Sequence, residues 1–191
     1  MFRFVIFSVL FFVGTSALAD ASNPCCISQQ EREHLLALPY TEFDQDQHGG
    51  WRKLGQDFAC YDLAAQLLER YREENSKKLK PGQIGILSWH AGQLYGFDGQ
   101  FDKARTRFVA SYNLEEPKDV DLLWNDYVIA SIAFLDHDLE TLKAHRNRIA
   151  RAPGYKPNLS FVDNLLKYFD SPYGVAYSGG QEGLKPQRCQ K

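Results

Sequence analysis

The chain has 191 residues, with 22 Lys and Arg against 24 Asp and Glu, for a net charge of −2 when the histidines are neutral. That length suits one domain and is short for two full-sized ones. The near balance of charge leaves no basic excess to hold nucleic acid and no acidic block to serve as a solvating tail. With 13 Phe, 10 Tyr and 3 Trp the chain can pack a core, which argues against global disorder.

Residues 1–19 read as a secretory signal peptide. Arg3 supplies the positive start, residues 4–13 are apolar apart from one Ser, and Ala17-Leu18-Ala19 is a small-x-small site that predicts cleavage before Asp20. A retained anchor is the alternative, but the apolar run is short of the roughly 20 residues a span needs, and polar chain follows at once. Ser22-Asn23-Pro24 before Cys25 is not a lipid-attachment pattern. No later stretch is long enough to span a bilayer. The expectation is an exported protein, periplasmic or alternatively extracellular, with no membrane insertion after cleavage.

Residues 20–50 form an N-terminal cap segment. Positions 29–38 have helical apolar spacing, and Pro39 breaks it. Asp44-Gln45-Asp46-Gln47-His48-Gly49-Gly50 reads as a solvated polar turn. It carries oxygen donors on alternate residues like a calcium loop, but Gly55 stands where the twelfth-position Glu belongs. From Trp51 onward the pattern is helical. Helices are predicted over 61–71, 87–97, 101–112, 122–135, 139–149 and 159–169, the last with Asn158 as N-cap. Asp98-Gly99 and Asp136-His137-Asp138 split neighbouring pairs, and Pro153 and Pro157 stop the chain before the last helix. No segment alternates with period two beside hairpin turn chemistry. The predicted class is all-α, built as helical hairpins with short connections.

Cys25, Cys26, Cys60 and Cys189 are an even set in an exported chain, so two disulfides and no free thiol are expected. A bridge between the neighbours Cys25 and Cys26 is strained. Both remaining pairings tie the N-terminal segment to Cys60 and to the tail. The spacings do not suit zinc, which needs a Cys-x-x-Cys or clustered His.

The chain also repeats internally. Tyr61-Asp62-Leu63-Ala64 and Phe101-Asp102-Lys103-Ala104 coincide at an offset of 40, and Leu139-Glu140-Thr141-Leu142 follows 38 residues later. Each tetrad opens the second helix of a hairpin. Gly92, Tyr95, Gly99, Phe101, Ala104 and Phe108 resemble the tetratricopeptide repeat signature, with Pro117 one place beyond its usual Pro. Trp51-x-x-Leu54-Gly55-x-x-Phe58 offers a second register for the first unit. The segments His90-Ala91-Gly92-Gln93-Leu94-Tyr95 and Trp124-Asn125-x-Tyr127 are also similar to parts of small exported bacterial proteins with no assigned activity. The resemblance implies a right-handed stack of about three hairpins over 51–150, capped by 20–50 and by a helix and tail in 151–191. It further implies a concave groove for a protein or peptide partner, lined by Trp89, Gln93 and Phe97 from the middle unit and by Trp124, Tyr127 and Ser131 from the next. The competing reading makes these aromatics core between helices. No Lys or Arg clamp for a C-terminal carboxylate is evident in that groove.

Signals of catalysis are thin. His90 lies on a strongly patterned helix and could act as a general base. Asp136-His137-Asp138 could hold a metal, though acids in hairpin turns routinely cap helices. No His-Glu-x-x-His, Gly-x-Ser-x-Gly or phosphate loop occurs. The expected function is an exported binding module for a protein or peptide in the cell envelope, as an adaptor or an inhibitor of the immunity type, with no cofactor. The alternative is a small hydrolase or metal-dependent enzyme using His90 or the Asp136–Asp138 loop.

Overall fold

A computed structural model describes residues 23–116, 123–153 and 156–189. The signal segment and Pro117 lie outside the described residues. Within them the chain is all helix and turn, without a strand. The helices are α1 (Gln29–Ala37), α2 (Gly50–Arg52), α3 (Tyr61–Glu74), α4 (Pro81–Phe97), α5 (Phe101–Val109), α6 (Trp124–Leu135), α7 (Leu139–Arg151), α8 (Leu159–Lys167) and α9 (Tyr173–Tyr177). Two π-helical turns, Thr41–Gln45 and Lys53–Asp57, flank α2. No helix among the described residues is long and apolar enough to cross a membrane.

Local chemistry sets the ends of these helices. The Ser28 hydroxyl accepts from the Glu31 N–H at 3.1 Å, and the Glu31 carboxylate accepts from the Ser28 N–H at 2.7 Å. This closes a capping box on α1. Pro81 opens α4 at a position where a missing N–H costs nothing. The α4 helix begins six residues earlier than its apolar pattern predicts, because Pro81, Gly82 and Gln83 are helical without being core. It buries Leu87, Trp89, Leu94 and Tyr95 on more than one side. That all-round burial fits its place between α3 and α5, with α9 against it as well. By contrast α3, α5 and α7 each bury a single stripe.

The repeat predicted at 61, 101 and 139 appears as recurring turn geometry. Ala59, Gly99 and His137 have φ of 53°, 78° and 58°, and each stands two residues before the start of α3, α5 or α7. In the last two turns the bond is the same: the Gln100 N–H donates to the Tyr95 carbonyl, and the Asp138 N–H to the Ala133 carbonyl, both at 2.8 Å. This is the six-to-one bond of a Schellman-type helix end. The first of the three turns is reached instead through α2 and the Lys53–Asp57 turn.

The disulfides join Cys25 to Cys60 and Cys26 to Cys189. They resolve the two open pairings, and no described cysteine is free. Cys25 and Cys60 are buried at 5% and 0% exposure, whereas the Cys26–Cys189 bridge lies at the surface and ties the tail to the N-terminal segment. Both bridges suit an oxidising compartment.

Candidate functional site

A cavity of about 660 Å³ opens between α4, α9 and residues 182–186 of the tail. One wall is a single face of α4, where His90, Gln93, Leu94 and Phe97 recur at helical spacing. From His90 to Phe97 that face runs on the order of 10 Å at 1.5 Å per residue. The opposite wall is Tyr173 and Tyr177 of α9. Gly96 makes this approach feasible, since a Cβ there would lie 2.6 Å from the Tyr173 ring. Gln93 donates to the Tyr177 hydroxyl at 2.7 Å, and the Tyr177 and Tyr127 hydroxyls are paired at 3.0 Å. Burial, with lesser contributions from Tyr177 and Tyr173, pushes the Tyr127 phenol well above its ordinary range.

The tail closes the rim as an extended strand-like segment without strand pairing. The Gln187 N–H donates to the Ala59 carbonyl at 2.9 Å, and the Tyr61 hydroxyl reaches the Leu184 carbonyl at 3.4 Å. Arg188 pairs with the buried Asp98 carboxylate and with Asp62. Exposed apolar side chains stand at the lip, with Phe101 45% and Leu184 58% exposed.

The inner end of the cavity holds Trp51, Arg52 and His90. Behind them lies Asp44, which is completely buried. Gly50 lets the chain fold back here. Its φ is 52°, and a Cβ would sit 2.0 Å from the Phe43 carbonyl oxygen. The reversal sets Trp51 and Arg52 beside the Thr41–Gln45 turn. Asp44 then accepts from Trp51 Nε1 at 2.9 Å, from His90 Nδ1 at 2.8 Å and from the Gln45 amide. Burial raises the Asp44 carboxyl, but His90, Trp51 and Arg52 outweigh it and hold the group below its ordinary value. An ionised carboxylate only accepts, so His90 Nδ1 carries the proton and Nε2 is turned to Arg52 Nη2, 3.5 Å away. Arg52 donates from Nε to the Asp44 carbonyl at 2.9 Å, and its guanidinium lies 4.4 Å from the Trp51 ring centre. Burial lowers the Arg52 guanidinium, against the opposing charge of Asp44.

The groove residues expected from the sequence divide. Gln93 and Phe97 line the cavity. Trp89, Tyr127 and Ser131 are core, at 4%, 2% and 0% exposure. The Trp89 ring packs against Phe108, Trp124 and Tyr127 with centroids 4.6–5.1 Å apart. Neighbouring helices approach closely enough to fill the hollow that was to expose it. Ser131 returns its hydroxyl to the Tyr127 carbonyl. Half-buried Trp124 spends its indole N–H on the Ser111 carbonyl. In the 44–50 loop Gln45, Asp46, Gln47 and His48 are exposed as expected, but Asp44 is core and not solvated.

Asp136 is occupied by Arg105 at 3.0 Å, and Asp138 caps α7 through the Thr141 N–H. His137 stacks on Phe169 at 4.6 Å. No group of three or more His, Cys, Asp or Glu among the described residues could hold a metal ion. A second carboxylate–imidazole pair, Asp126–His145 at 2.6 Å, joins α6 to α7 and does not line the cavity. The sequence reading missed Asp44, Arg52, Tyr173 and Tyr177. The one local hint was Gly49-Gly50 before Trp51-Arg52, a place where the chain can reverse.

Compared with known proteins, the chain matches no family model, no curated protein and no solved structure.

Proposed function

We propose that the chain is an exported binding module of tetratricopeptide-like descent. Its α4–α9 cavity receives a short segment of a protein or peptide partner in the cell envelope. The cavity itself carries this reading. Its volume falls in the range of ligand sites, and its wall sets aromatic rings such as Phe97, Phe101 and Tyr173 beside a few polar groups, Gln93, the Tyr177 hydroxyl, His90 and Arg52, that can fix orientation. An adaptor or an inhibitor of the immunity type would each use such a site.

Photo-cross-linking tests it. Benzoylphenylalanine at Phe101 or Leu184, both on the lip, should form adducts with the same polypeptide in cells that export the chain. At Val109, 44% exposed but away from the cavity, it should not. Equal adducts at Val109, or none at the lip, would overturn the reading.

The Asp44–His90 pair favours a second reading, a hydrolase in which His90 Nε2 takes a proton from water. Turnover of a fluorogenic ester or peptide panel, abolished by His90→Gln, would carry it. A panel left intact would leave binding alone.

A further inference from the structure

The inner end of the cavity is built differently from its lip. Arg52 is 9% exposed and lines the cavity. Its Nε is taken by the Asp44 carbonyl, and Nη2 has only the long 3.5 Å approach to His90. No partner is found for Nη1 among the described residues. A largely buried arginine that lines a cavity with part of its donor fork unspent can receive an anion. The acid that balances it does not face the same space. The Asp44 carboxylate has 0% exposure and three donors on it, and it stands behind His90 and Trp51. A ligand in the cavity therefore meets the Arg52 donors and the His90 ring edge, not the carboxylate. The other charged groups on the wall are Glu182 and Lys185, one of each sign, both on the tail. Beyond His90 the α4 face carries Gln93 and then the apolar Leu94 and Phe97, over about 10 Å from His90 to Phe97, with Tyr173 also on the wall.

We infer that Arg52 forms a carboxylate-binding subsite at the inner end of the cavity, with His90 Nε2 facing its Nη2, and that the preferred ligand carries a carboxylate next to an apolar body. The subsite rests on the cavity being the occupied site of the binding module. The carboxylate can belong to a free amphiphilic acid or to an acidic side chain of a bound segment, and the chemistry of recognition is the same.

Octanoate, 1-octanol and octylamine share a chain and differ in head group, so calorimetric titration of the whole exported protein reads the head directly. Octanoate should bind at least tenfold more tightly than either of the others, a ratio worth about 1.4 kcal/mol. A second pair, acetyl-Glu-Phe-Phe-amide and its Gln counterpart, asks whether a side-chain carboxylate is taken with the same preference. The preference should collapse in Arg52→Gln, checked for wild-type helicity. The comparison of heads on the unmodified protein stands even if a variant fails to fold. Preference in the octyl series alone identifies a free acid, and preference in the peptide pair alone identifies a bound segment. Equal affinity across the octyl heads together with equal affinity of the Glu and Gln peptides would overturn the subsite. Head-group preference without lip cross-links would keep the subsite and remove the polypeptide partner. Lip cross-links without head-group preference would do the reverse.

Discussion

Replacing Asp44 by Asn is the most direct probe of how the site is held. The carboxylate accepts three side-chain hydrogen bonds inside the protein, from Trp51, His90 and Gln45, and no part of the residue is exposed. Asn keeps an oxygen for Trp51 and His90 but turns an N–H₂ toward the Gln45 amide, donor against donor. It also removes the negative charge that Arg52 was buried beside. Hydrogen bonds to a charged group are worth roughly 1.5–3 kcal/mol net, about twice a neutral one. Removing one partner of a buried charged pair costs roughly 3–5 kcal/mol. The expected loss for Asp44→Asn is therefore about 3 kcal/mol, and Asp44→Ala, which strands all three donors, should cost more. Urea unfolding followed by tryptophan fluorescence measures it.

The pH dependence supplies the check on mechanism. The Asp44 carboxyl is held below its ordinary value in the fold. Its contribution is thus complete above the unfolded-state pKa of about 3.9 and is lost as pH falls through the lower folded value. The gap in stability between wild type and Asp44→Asn should be wide at pH 7 and narrow steadily below about pH 4. A gap under about 1 kcal/mol at pH 7, or one that stays constant down to pH 2, would refute the charged, saturated carboxylate.

Two further outcomes follow from other parts of the molecule. Gly96→Ala should destabilise by about 1–3 kcal/mol and shift the near-ultraviolet signal of Tyr173, because the added Cβ meets that ring at 2.6 Å; Gly82→Ala on the same helix meets nothing within 4 Å and should be neutral or stabilising, so equal effects in thermal melts would contradict the close α4–α9 contact. Replacing Cys26 and Cys189 together by Ser should lower stability by up to about 5 kcal/mol in the chain-entropy account, given the sequence separation of 163, and should expose residues 182–186 to limited proteolysis; a variant as protease-resistant as wild type would show that Gln187 and Arg188 hold the tail without the bridge.

The hairpins were legible because their signals are local. Tyr61, Phe101 and Leu139 each open a helix two residues after a left-handed turn position, and the offsets of 40 and 38 can be read without any knowledge of packing. That Ala59 and His137 stand where Gly99 has a glycine is the part a pattern misses. Their cost, about 1–2 kcal/mol for a side chain in that conformation, is accepted by the fold, and in the case of His137 the ring gains a stack on Phe169. Gln93 and Phe97 were also expected, through the groove that the repeat resemblance implies, and they do line the cavity. Trp89 was expected there too and is core. Phase says which way a side chain points, and only the distance to α5 and α6 says whether it meets water or Phe108 and Tyr127. Asp44 and His90 are 46 residues apart, and an acid inside a run of Asp, Gln, His and Gly carries every mark of a solvated turn. Tyr173-Gly174-Val175-Ala176-Tyr177 is too short and too rich in small residues to announce a helix, although α9 lines the cavity.

The helical hairpins and the cavity thus draw on different parts of the chain. The hairpins supply a rigid α4 with one polar-to-apolar face, and parts outside the hairpins turn that face into an enclosure. The Thr41–Gln45 turn brings the carboxylate, α2 brings the guanidinium, α9 brings the phenols, and the tail closes the lip. Both disulfides act on these additions, fixing Cys60 just ahead of α3 and Cys189 at the far end of the tail to the neighbouring pair Cys25 and Cys26. An open scoop between stacked hairpins has no need of such fastening, because its helices already bury one another. A cavity assembled from short segments does, since each alone has little apolar surface to offset the entropy of holding it in place. The bridges thus fasten the ends of the segments that are added to the hairpins.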